Sequence, residues 1–209
     1  MTFCLPQRDQ TLRKADQVMR KIIVTMWMSL DGFIAGPQGE MNWVGEFFDE
    51  AMGAYEYDLA SGADTLILGR VTYESFAGSW PHVPDNPNVS EGEKAYARLL
   101  NAMRKVVFSR TLETVEWNNS TLLREIRPEE IERLKQEPGK DIGIYGSASV
   151  IQTLMNHNLI DEYQLLIHPV VFGIGTPLFK DIQHQMNLTL AQTKAFPSGV
   201  VLLQYQAKR

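Results

Sequence analysis

The sequence contains a single cysteine, Cys4, among 209 residues, so the chain cannot form an internal disulfide. No apolar run approaches the roughly 18 residues that a membrane-spanning helix needs. Residues 1–21 lack the continuous apolar core of a secretory signal. Because a lone thiol fits a reducing compartment and no segment suits a bilayer, we expect a cytoplasmic protein without a membrane partner.

Positive charge is also scarce, since 20 Lys and Arg stand against 25 Asp and Glu, a formal net charge of −5. A broad nucleic-acid-binding face needs a clustered basic excess, so we expect no nucleic-acid partner, although a few residues can still build a local anion site. The four histidines lack short ligand spacings, so we expect no metal site. The chain also lacks GxSxG, HExxH and GxxxxGK[ST] motifs, and no GxGxxG follows the first strand signal, which argues against several hydrolases, NTPases and the standard Rossmann site.

The sequence does contain short apolar runs that alternate with amphipathic segments. This order predicts a single-domain α/β fold with a mostly parallel sheet, closed by an antiparallel pair at its C-terminal end. In the first long helix, the apolar residues keep to one stripe, with Asp49, Glu50 and Glu56 largely elsewhere. The predicted strands are 22–28, 65–68, 105–109, 121–123, 141–145, 162–171, 188–195 and 199–206, and the predicted helices are 46–61, one opening at 71–76, 93–103, 128–136 and 148–156, with a long loop at 80–92.

Residues 1–20 differ from the rest of the chain, because they are mostly polar and the first strand signal begins at Ile22. Two interpretations stay open. The segment is an arm that packs on a neighbouring subunit, or Met19 is the biological start. We treat residues 1–20 as an N-terminal extension outside the fold and 21–207 as the domain.

Chemistry is expected where predicted strands end, because ligands of open α/β sheets bind outside the carboxyl ends of the strands. Three predicted strands end at a small residue, namely Gly69, Ser109 and Gly146. A predicted helix follows Gly69 and Gly146 directly, and it follows Ser109 more loosely. A helix N-terminus suits a phosphate, and glycine lets a ligand approach the backbone. An ordinary turn explains each glycine equally well. The run 146–149, Gly-Ser-Ala-Ser, is therefore a candidate phosphate-facing turn.

Three charged residues near these strand ends are candidate ligand contacts. Arg70, followed by Thr72, is able to pair with a phosphate, and Arg110 offers a second positive charge; the alternative is surface arginines and an ordinary helix-capping threonine. Asp31 follows the first strand, where it is able to bind a hydroxyl or handle a proton, but an Asp-Gly turn explains it unaided.

Four segments, in this order and spacing, resemble the dihydrofolate-reductase-like superfamily and, more closely, the C-terminal reductase domain of bacterial riboflavin-biosynthesis enzymes. The matching region covers about residues 20–206. The resemblance implies a sheet of about eight strands flanked by helices, an NADPH cofactor laid across strand ends, and a homodimer. The four segments are 22–35 with its SLDGFIA core, TLILGRVT at 65–72, IGIYGSASV at 142–150 and HPVVFGIGTPLF at 168–179.

The resemblance also implies a role for each candidate residue. Asp31 would bind or help protonate a substrate, and Ala35, with the 29–36 and 172–176 loops, would lie near the nicotinamide. Ser109 and Arg110 would lie near the adenosine, where a positive charge selects NADPH over NADH. The remaining cofactor contacts would be Gly69, Arg70 and Thr72 for the phosphates and Gly146, Ser147, Ala148 and Ser149 for the pyrophosphate. An apolar substrate cleft would be lined by Trp27, Phe47, Phe48 and Trp80. For the two phenylalanines, the alternative is a place in the hydrophobic core.

The chain departs from its relatives' patterns at two positions. Folate reductases carry a carboxylate near the start of the first long helix, for which Glu46, Asp49 and Glu50 are candidates here. Riboflavin-pathway reductases carry a glutamate and a double glycine where this chain has Tyr145, Gly146 and Ser147.

From the resemblance as a whole, we expect an NADPH-dependent reductase of a small pterin- or pyrimidine-like substrate, such as 5-amino-6-(5-phosphoribosylamino)uracil. The alternative is a non-catalytic NADP(H)- or ligand-binding protein of the same fold.

Overall fold

The structure of the protein is a computed structural model that describes residues 19–208. Ten strands lie in this part of the chain, and most of them are short apolar runs of the kind that favours a buried sheet. The strands are β1 (Ile22–Ser29), β2 (Phe33–Ala35), β3 (Ala63–Gly69), β4 (Arg104–Phe108), β5 (Ser120–Leu123), β6 (Asp141–Tyr145), β7 (Glu162–His168), β8 (Thr176–Pro177), β9 (Leu188–Ala195) and β10 (Val201–Ala207).

Eight of these strands form one sheet in the order β5-β4-β3-β6-β1-β7-β10-β9. The strands from β5 to β7 are parallel, whereas β10 runs antiparallel to both β7 and β9. The predicted α/β class, the mostly parallel sheet of about eight strands and the antiparallel C-terminal pair are therefore confirmed. A separate two-stranded ribbon of β2 and β8, which the sequence analysis did not predict, joins the segments after β1 and β7.

Helices connect the parallel strands. A 3-10 turn at Val83–Asp85 lies within the predicted 80–92 loop. The α-helices of the described residues are α1 (Trp43–Glu46), α2 (Glu50–Ser61), α3 (Arg70–Ser79), α4 (Glu91–Ala102), α5 (Pro128–Gln136) and α6 (Ala148–Asn156).

Three predicted boundaries are wrong. The helix predicted at 46–61 begins only at Glu50, as α2, while Glu46 ends the separate helix α1; the Asp49 side chain accepts a hydrogen bond from Met52 N (2.8 Å) and caps the start of α2. The strand predicted to reach residue 171 ends at His168. The segment between β4 and β5 contains no helix, so the strand end at Ser109 leads into a loop.

The two faces of the sheet are packed differently. Because strand residues alternate between faces, Met26 and Trp27 point to opposite sides. On one face, α5 and α6 cover a continuous apolar cluster that includes Leu154 and Ile151. On the other face, α2 and α4 cover two separate clusters, one around Leu166 and Met52 and one around Leu66.

One residue of the predicted extension packs against the domain. Arg20, assigned above to the extension, is 5% exposed; its side chain pairs with Asp64 and donates to Thr65 Oγ1 (2.6 Å). This arginine therefore belongs to the fold. The remainder of the predicted extension, residues 1–18, lies outside the described residues, so both interpretations of it stay open.

Candidate active site

The strands β1 and β6 are neighbours in the sheet, and a ligand-binding crevice is expected at their carboxyl ends from the way the chain connects them. The connection from β1 runs through α2 to β3 on one face, whereas β6 leads through α6 to β7 on the opposite face. The chain thus leaves these two adjacent strands in opposite directions. This is the topological switch point at which open α/β sheets bind ligands.

The ends of β3 and β6 are joined beside this crevice by Ser147. Its Oγ accepts a hydrogen bond from Gly69 N (2.7 Å) and donates one to Thr72 Oγ1 (2.8 Å). The structure therefore brings together four of the predicted phosphate contacts, namely Gly69, Thr72, Gly146 and Ser147. It also fixes the relative position of α3 and α6, which begin at this junction.

The tight crossing explains both glycines without reference to a ligand. A Cβ at Gly69 would lie 2.9 Å from Ser147 Oγ, and one at Gly146 would lie 3.0 Å from Thr72 Oγ1. Gly146 and Ser147 both have positive φ angles, 78° and 67°. A left-handed serine is uncommon, so its two hydrogen bonds hold a conformation that its backbone does not favour.

The helices that begin at this junction lack side-chain caps. Neither α3, with Gly69 at its N-cap, nor α6, with Ser147 there, has a side-chain hydrogen bond to its first turn. By contrast, α2 and α4 are capped by Asp49 and Ser90. The first-turn N–H groups of α6, which begins with Ala148 and Ser149, and of α3 are thus left without a side-chain acceptor, as an anion site requires.

The two predicted cationic contacts follow neighbouring strands: Arg70, predicted for the phosphates, follows β3, and Arg110, predicted with Ser109 for the adenosine, follows β4. Arg70 Nη1 pairs with Glu74 Oε2 (2.9 Å), and both side chains are half-exposed. Ser109 is buried, and its Oγ accepts hydrogen bonds from the backbone N–H groups of Thr111 and Leu112, the two residues after Arg110. Arg110 itself is exposed. Both arginines are accessible to a ligand in solution.

Arg124 is a further cation at this edge that the sequence analysis missed. It follows β5 directly, and its Nη1 donates to Ser109 O at 3.3 Å. Its signal in the sequence was an arginine immediately after the predicted 121–123 strand. Arg124 thus supports the loop that carries Arg110.

Asp31 joins the loop after β1 to the loop after β7. Its carboxylate accepts from Ser29 Oγ (2.6 Å), Phe172 N (3.1 Å) and Gly173 N (2.7 Å). These hydrogen bonds, led by that from Ser29, lower the pKa of Asp31. The residue predicted to protonate a substrate is therefore an ionised acceptor at neutral pH.

The ribbon of β2 and β8 forms the outer wall of this region. Ala35, predicted to lie near the nicotinamide, is buried and pairs with Thr176. Gly175 passes so close to it that an added Cβ would clash with Ala35 O. The structure thus brings the 29–36 and 172–176 segments together.

Aromatic residues occupy the carboxyl end of β7, where the sequence analysis missed two of them. Trp43 makes edge contacts with His168 (4.9 Å between ring centroids) and Phe172 (5.5 Å), and Phe47 lies 6.1 Å from His168. His168 is fully buried, and burial lowers its pKa, so its ring is neutral near pH 7. Phe48, by contrast, is 46% exposed and belongs to none of these contacts.

Trp27 and Trp80 lie in different parts of the α2-bearing face. Trp27 packs with the cluster around Leu166, whereas Trp80 packs with the cluster around Leu66 and lies 5.3 Å from Tyr96. The two predicted cleft residues therefore lie in separate apolar clusters, and a gap in apolar packing separates those clusters.

Glu56 lies in that gap and is the main site residue that sequence reasoning missed. The amphipathic pattern placed it away from the buried stripe, but it is only 8% exposed, and its Oε1 accepts from Trp27 Nε1 (2.7 Å). Burial raises the pKa of Glu56 to about 7, while the Trp27 hydrogen bond opposes that rise. Glu46, Asp49 and Glu50, the predicted candidate acids, are not buried.

A hollow of about 220 Å³ lies under the C-terminal half of α2. Its walls include Ile23, Leu59, Gly143 and Tyr145. The strand residues of its lining come mainly from the amino-terminal halves of β1, β3 and β6, although Tyr145 is the last residue of β6. The hollow therefore borders the same two strands, β1 and β6, but lies mainly towards their amino-terminal ends.

Two features are absent from residues 19–208. Within that range, no group of three or more His, Cys, Asp or Glu side chains is placed to hold a metal ion. In the same range, no helix has the length and apolar character needed to cross a bilayer.

The strand order and the crevice define a dihydrofolate-reductase-like α/β protein. The chain belongs to the RibD C-terminal domain family, whose sequence pattern matches residues 20–202. It is 39% identical to the uncharacterized protein YyaP of Bacillus subtilis (strain 168), over 89% of this chain and 94% of that protein. It is 33% identical to the uncharacterized YwjB of the same organism, over 88% of this chain and 96% of that protein.

Solved structures show the same fold at lower identity. A putative riboflavin biosynthesis protein from Shewanella sp. PV-4 has a TM-score of 0.69 at 20% identity, covering 90% of this chain and 99% of that one. A deaminase/5-amino-6-(5-phosphoribosylamino)uracil reductase from Thermotoga maritima has a TM-score of 0.63 at 15% identity, covering 91% and 57%. Dihydrofolate reductase from Enterococcus faecalis, complexed with NADP(H), has a TM-score of 0.55 at 13% identity, covering 90% and 97%.

Proposed function

We propose that the protein is an NADPH-dependent reductase that transfers a hydride to a small heterocyclic, pterin- or pyrimidine-like acceptor. The observation that carries the proposal is the pair of uncapped helix N-termini, α3 and α6, joined by Ser147 at the switch point of the sheet. Dinucleotide pyrophosphates bind at such places because backbone N–H groups and helix dipoles converge there. Similarity to the uracil reductase of Thermotoga maritima and to an NADP(H)-bound dihydrofolate reductase supports the same assignment.

The residues at the junction fit the phosphates of such a cofactor. We assign the pyrophosphate to the first turns of α3 and α6, with Gly69, Thr72 and the 146–149 turn as contacts. We assign Arg70 to the phosphates as well, and Ser109 and Arg110 to the adenosine side. NADPH, when bound, supplies the hydride. The protein then binds the phosphates, orients the ring along the crevice and excludes water with the wall that contains Ala35.

Asp31 receives a different role from the one that the resemblance implied. Its carboxylate is engaged by three donors and its pKa is lowered, so it is a poor source of protons. We assign it to the positioning of the two loops beside the crevice. This leaves Trp27, Phe47 and the aromatic residues near His168 as candidate acceptor contacts.

Titration of the purified protein with NADPH and with NADH, followed by cofactor fluorescence, tests the proposal. We expect NADPH to bind more tightly, and we expect Arg70→Ala and Arg110→Ala each to weaken NADPH binding by about tenfold, because a charge-assisted phosphate contact contributes about 1.5–3 kcal/mol when partly desolvated. Glu113→Gln, which changes the charge of an exposed acidic side chain, serves as a control. If neither nucleotide binds, the proposal is wrong.

A non-catalytic NADP(H)-binding protein of the same fold is the second candidate. The engaged carboxylate of Asp31 favours it, because the predicted acid is not free to act. NADPH oxidation in the presence of pterin and pyrimidine acceptors separates the two functions. Binding without turnover of any acceptor would support the second candidate.

Two expectations about the cellular form of the protein belong to the same proposal. We propose a homodimer, which light scattering tests through the molar mass in solution; a mass near the 23.7 kDa of one chain would contradict it. We also propose a cytoplasmic location, which cell fractionation tests, and recovery of the protein outside that fraction would contradict it.

A further inference from the structure

The two strands at the C-terminal edge of the sheet carry an exposed apolar surface, which we call the outer patch. The register of β10 with β9 places three cross-strand pairs on the face of the sheet that α5 and α6 cover elsewhere. Leu203 and Tyr205 pack inwards against the continuous apolar cluster of that face, so the outer patch extends this cluster towards the edge of the sheet. The pairs that define the outer patch are Leu190 with Tyr205, Thr193 with Leu203 and Ala195 with Val201.

The outer patch is open to solvent, although its composition is that of a covered face. Leu190 is 52% exposed and Val201 is 37% exposed, and Thr193 and Ala195 are exposed as well. By contrast, Leu154 of α6, which packs on the middle of the same face, is fully buried. The helices thus seal the middle of this face, and the described part of the chain leaves its β9 end open.

The opposite face of the same edge strand is polar. The register places Thr189, Gln192 and Lys194 of β9 on the α2-bearing side of the sheet. Lys194 Nζ lies 4.8 Å from the centre of the Phe196 ring, so its charge is directed to that side. Water suits these polar groups, whereas the aliphatic side chains of the outer patch gain free energy when they leave water. Exposure is therefore unfavourable on one face only, and that face is the one that a partner would cover.

The edge of β9 is protected against pairing with a further strand. The ladder between β9 and β10 shifts at Gln204 and Tyr205, which leaves Ala191 as an extra residue in β9. Such a bulge twists an edge strand away from a regular ladder and is one of the devices that keep sheet edges unpaired. A partner therefore meets the outer patch through side chains rather than through backbone hydrogen bonds.

The lack of charge on the outer patch favours a second copy of this chain as the partner. Its six residues are uncharged, although the whole chain carries a formal net charge of −5. In a two-fold symmetric dimer, a surface meets its own copy, so a net charge on that surface would be repelled. An uncharged apolar face is able to pack against itself. Tyr205, which is half-buried, fits such a contact, because tyrosine is enriched at protein interfaces.

We propose that the outer patch is the contact surface of the homodimer, with β9 and β10 of one protomer packed face to face on the same strands of its partner. The inference rests on the homodimer expected under the proposed function, and it names the surface that forms it. Sheets that pack in this way lie about 10 Å apart with interdigitated side chains. Because each face is two strands wide, the interface buries less than about 1,200 Å² in total, and we expect the dimer to dissociate in the micromolar range.

The position of the outer patch keeps the dimer contact apart from the crevice. Strands β7 and β10 lie between β1 and β9, which separates β9 from β1 by about 14 Å at the usual strand spacing. The outer patch also lies on the face of the sheet opposite to α2. Each protomer therefore keeps its own crevice, and we expect a monomeric variant to bind NADPH as the natural protein does.

Sedimentation equilibrium of the full-length protein, over an about hundredfold range of concentration, measures the Kd of the dimer. Leu190→Lys and Val201→Lys are each expected to raise this Kd by about a hundredfold or more, because a positive charge is desolvated there and faces the same charge of the partner. The matched control is Gln192→Lys, which adds the same charge to the opposite face of β9. This control is expected to leave the Kd unchanged.

The control also distinguishes packing between faces from pairing between edges. If β9 paired edge to edge with its own copy, Leu190→Lys and Gln192→Lys would both lie beside the new strand pair and would change the Kd by similar amounts. Equal responses of these two variants would overturn the inference. Thermal unfolding reports whether each variant is folded. If Val201→Lys does not fold, Leu190→Lys, at the more exposed position, decides the matter.

The outcomes separate this inference from the proposed function. A natural protein that is monomeric at every concentration would overturn the inference together with the expected homodimer, and would leave residues 1–18 or a different protein as the cover of the outer patch. A dimer whose Kd is unchanged in Leu190→Lys and Val201→Lys would overturn the inference alone. NADPH titration of the natural protein tests the reductase proposal independently of both results.

Discussion

The two faces of the central sheet belong to the same strands but are packed differently. The face under α5 and α6 is one continuous apolar cluster, whereas the face under α2 and α4 is divided into two clusters, contains the buried acid Glu56 and borders a hollow of about 220 Å³. Dense apolar packing maximises stability, while a buried acid reduces it. The comparison indicates that the first face provides much of the stability of the domain, and the second holds the chemical groups.

Removing side chains of the same size from the two faces tests this difference, and we expect the largest effect on the continuous face. Leu154→Ala, at a fully buried position on α6, is expected to lower the free energy of unfolding by about 3–5 kcal/mol. Leu59→Ala, on α2 beside the hollow, is expected to cost about 1–2 kcal/mol, because less apolar contact is lost there. Urea unfolding measures both, and equal costs would contradict the comparison.

The buried acid gives the divided face a pH-dependent stability. Because burial raises the pKa of Glu56 to about 7 from a usual 4.5, ionisation opposes folding, and the protein loses stability as pH rises from about 4.5 through 7. The loss amounts to about 3 kcal/mol by pH 8, since each pKa unit is worth about 1.4 kcal/mol. The free energy of unfolding of Glu56→Gln, measured with urea, should therefore rise relative to that of the natural protein between pH 5 and pH 8. Parallel pH dependences of the two proteins would refute this.

The junction at which the faces meet should show the smallest effects. Ser147→Ala removes the hydrogen bonds to Gly69 and Thr72 but keeps the left-handed backbone, so we expect a cost of about 2 kcal/mol. Ser147→Gly removes the same bonds but relieves the backbone, so its cost should be about 1 kcal/mol less. Thermal unfolding measures the pair. A glycine variant that is less stable than the alanine variant would show that the left-handed backbone carries no strain.

The regular part of the fold was predictable because its signals are local. The run from Ile22 is a nearly continuous apolar strand, and each of the helices after β5 and β6 has an apolar stripe of helical period. The break before α2 was missed, since the side chain of Asp49 acts as a cap only when the chain turns there. The ribbon of β2 and β8 has two or three residues in each strand, which is too short for any period to show.

The candidate site was predictable only in part, for a similar reason. Glycines and small polar residues after strands indicated Gly69 and the 146–149 turn, which the structure places together. Glu56 was hidden because its helical position indicated a solvated face, and its burial depends on α4 packing against α2. No periodicity within one helix reports whether a second helix covers it.

The hydrogen bonds of Asp31 have a consequence for the order in which the molecule assembles. The carboxylate and its Phe172 partner are 141 positions apart in the chain, so their contact closes one of the long loops of the fold. Contacts between such distant positions form late, after their loop-closure entropy has been offset by other contacts. During synthesis, the segment after β1 is made early, but its partner, the segment after β7, is made much later. The wall of the cleft is thus one of the last parts of the molecule to take shape, although its first half is among the first parts to be made.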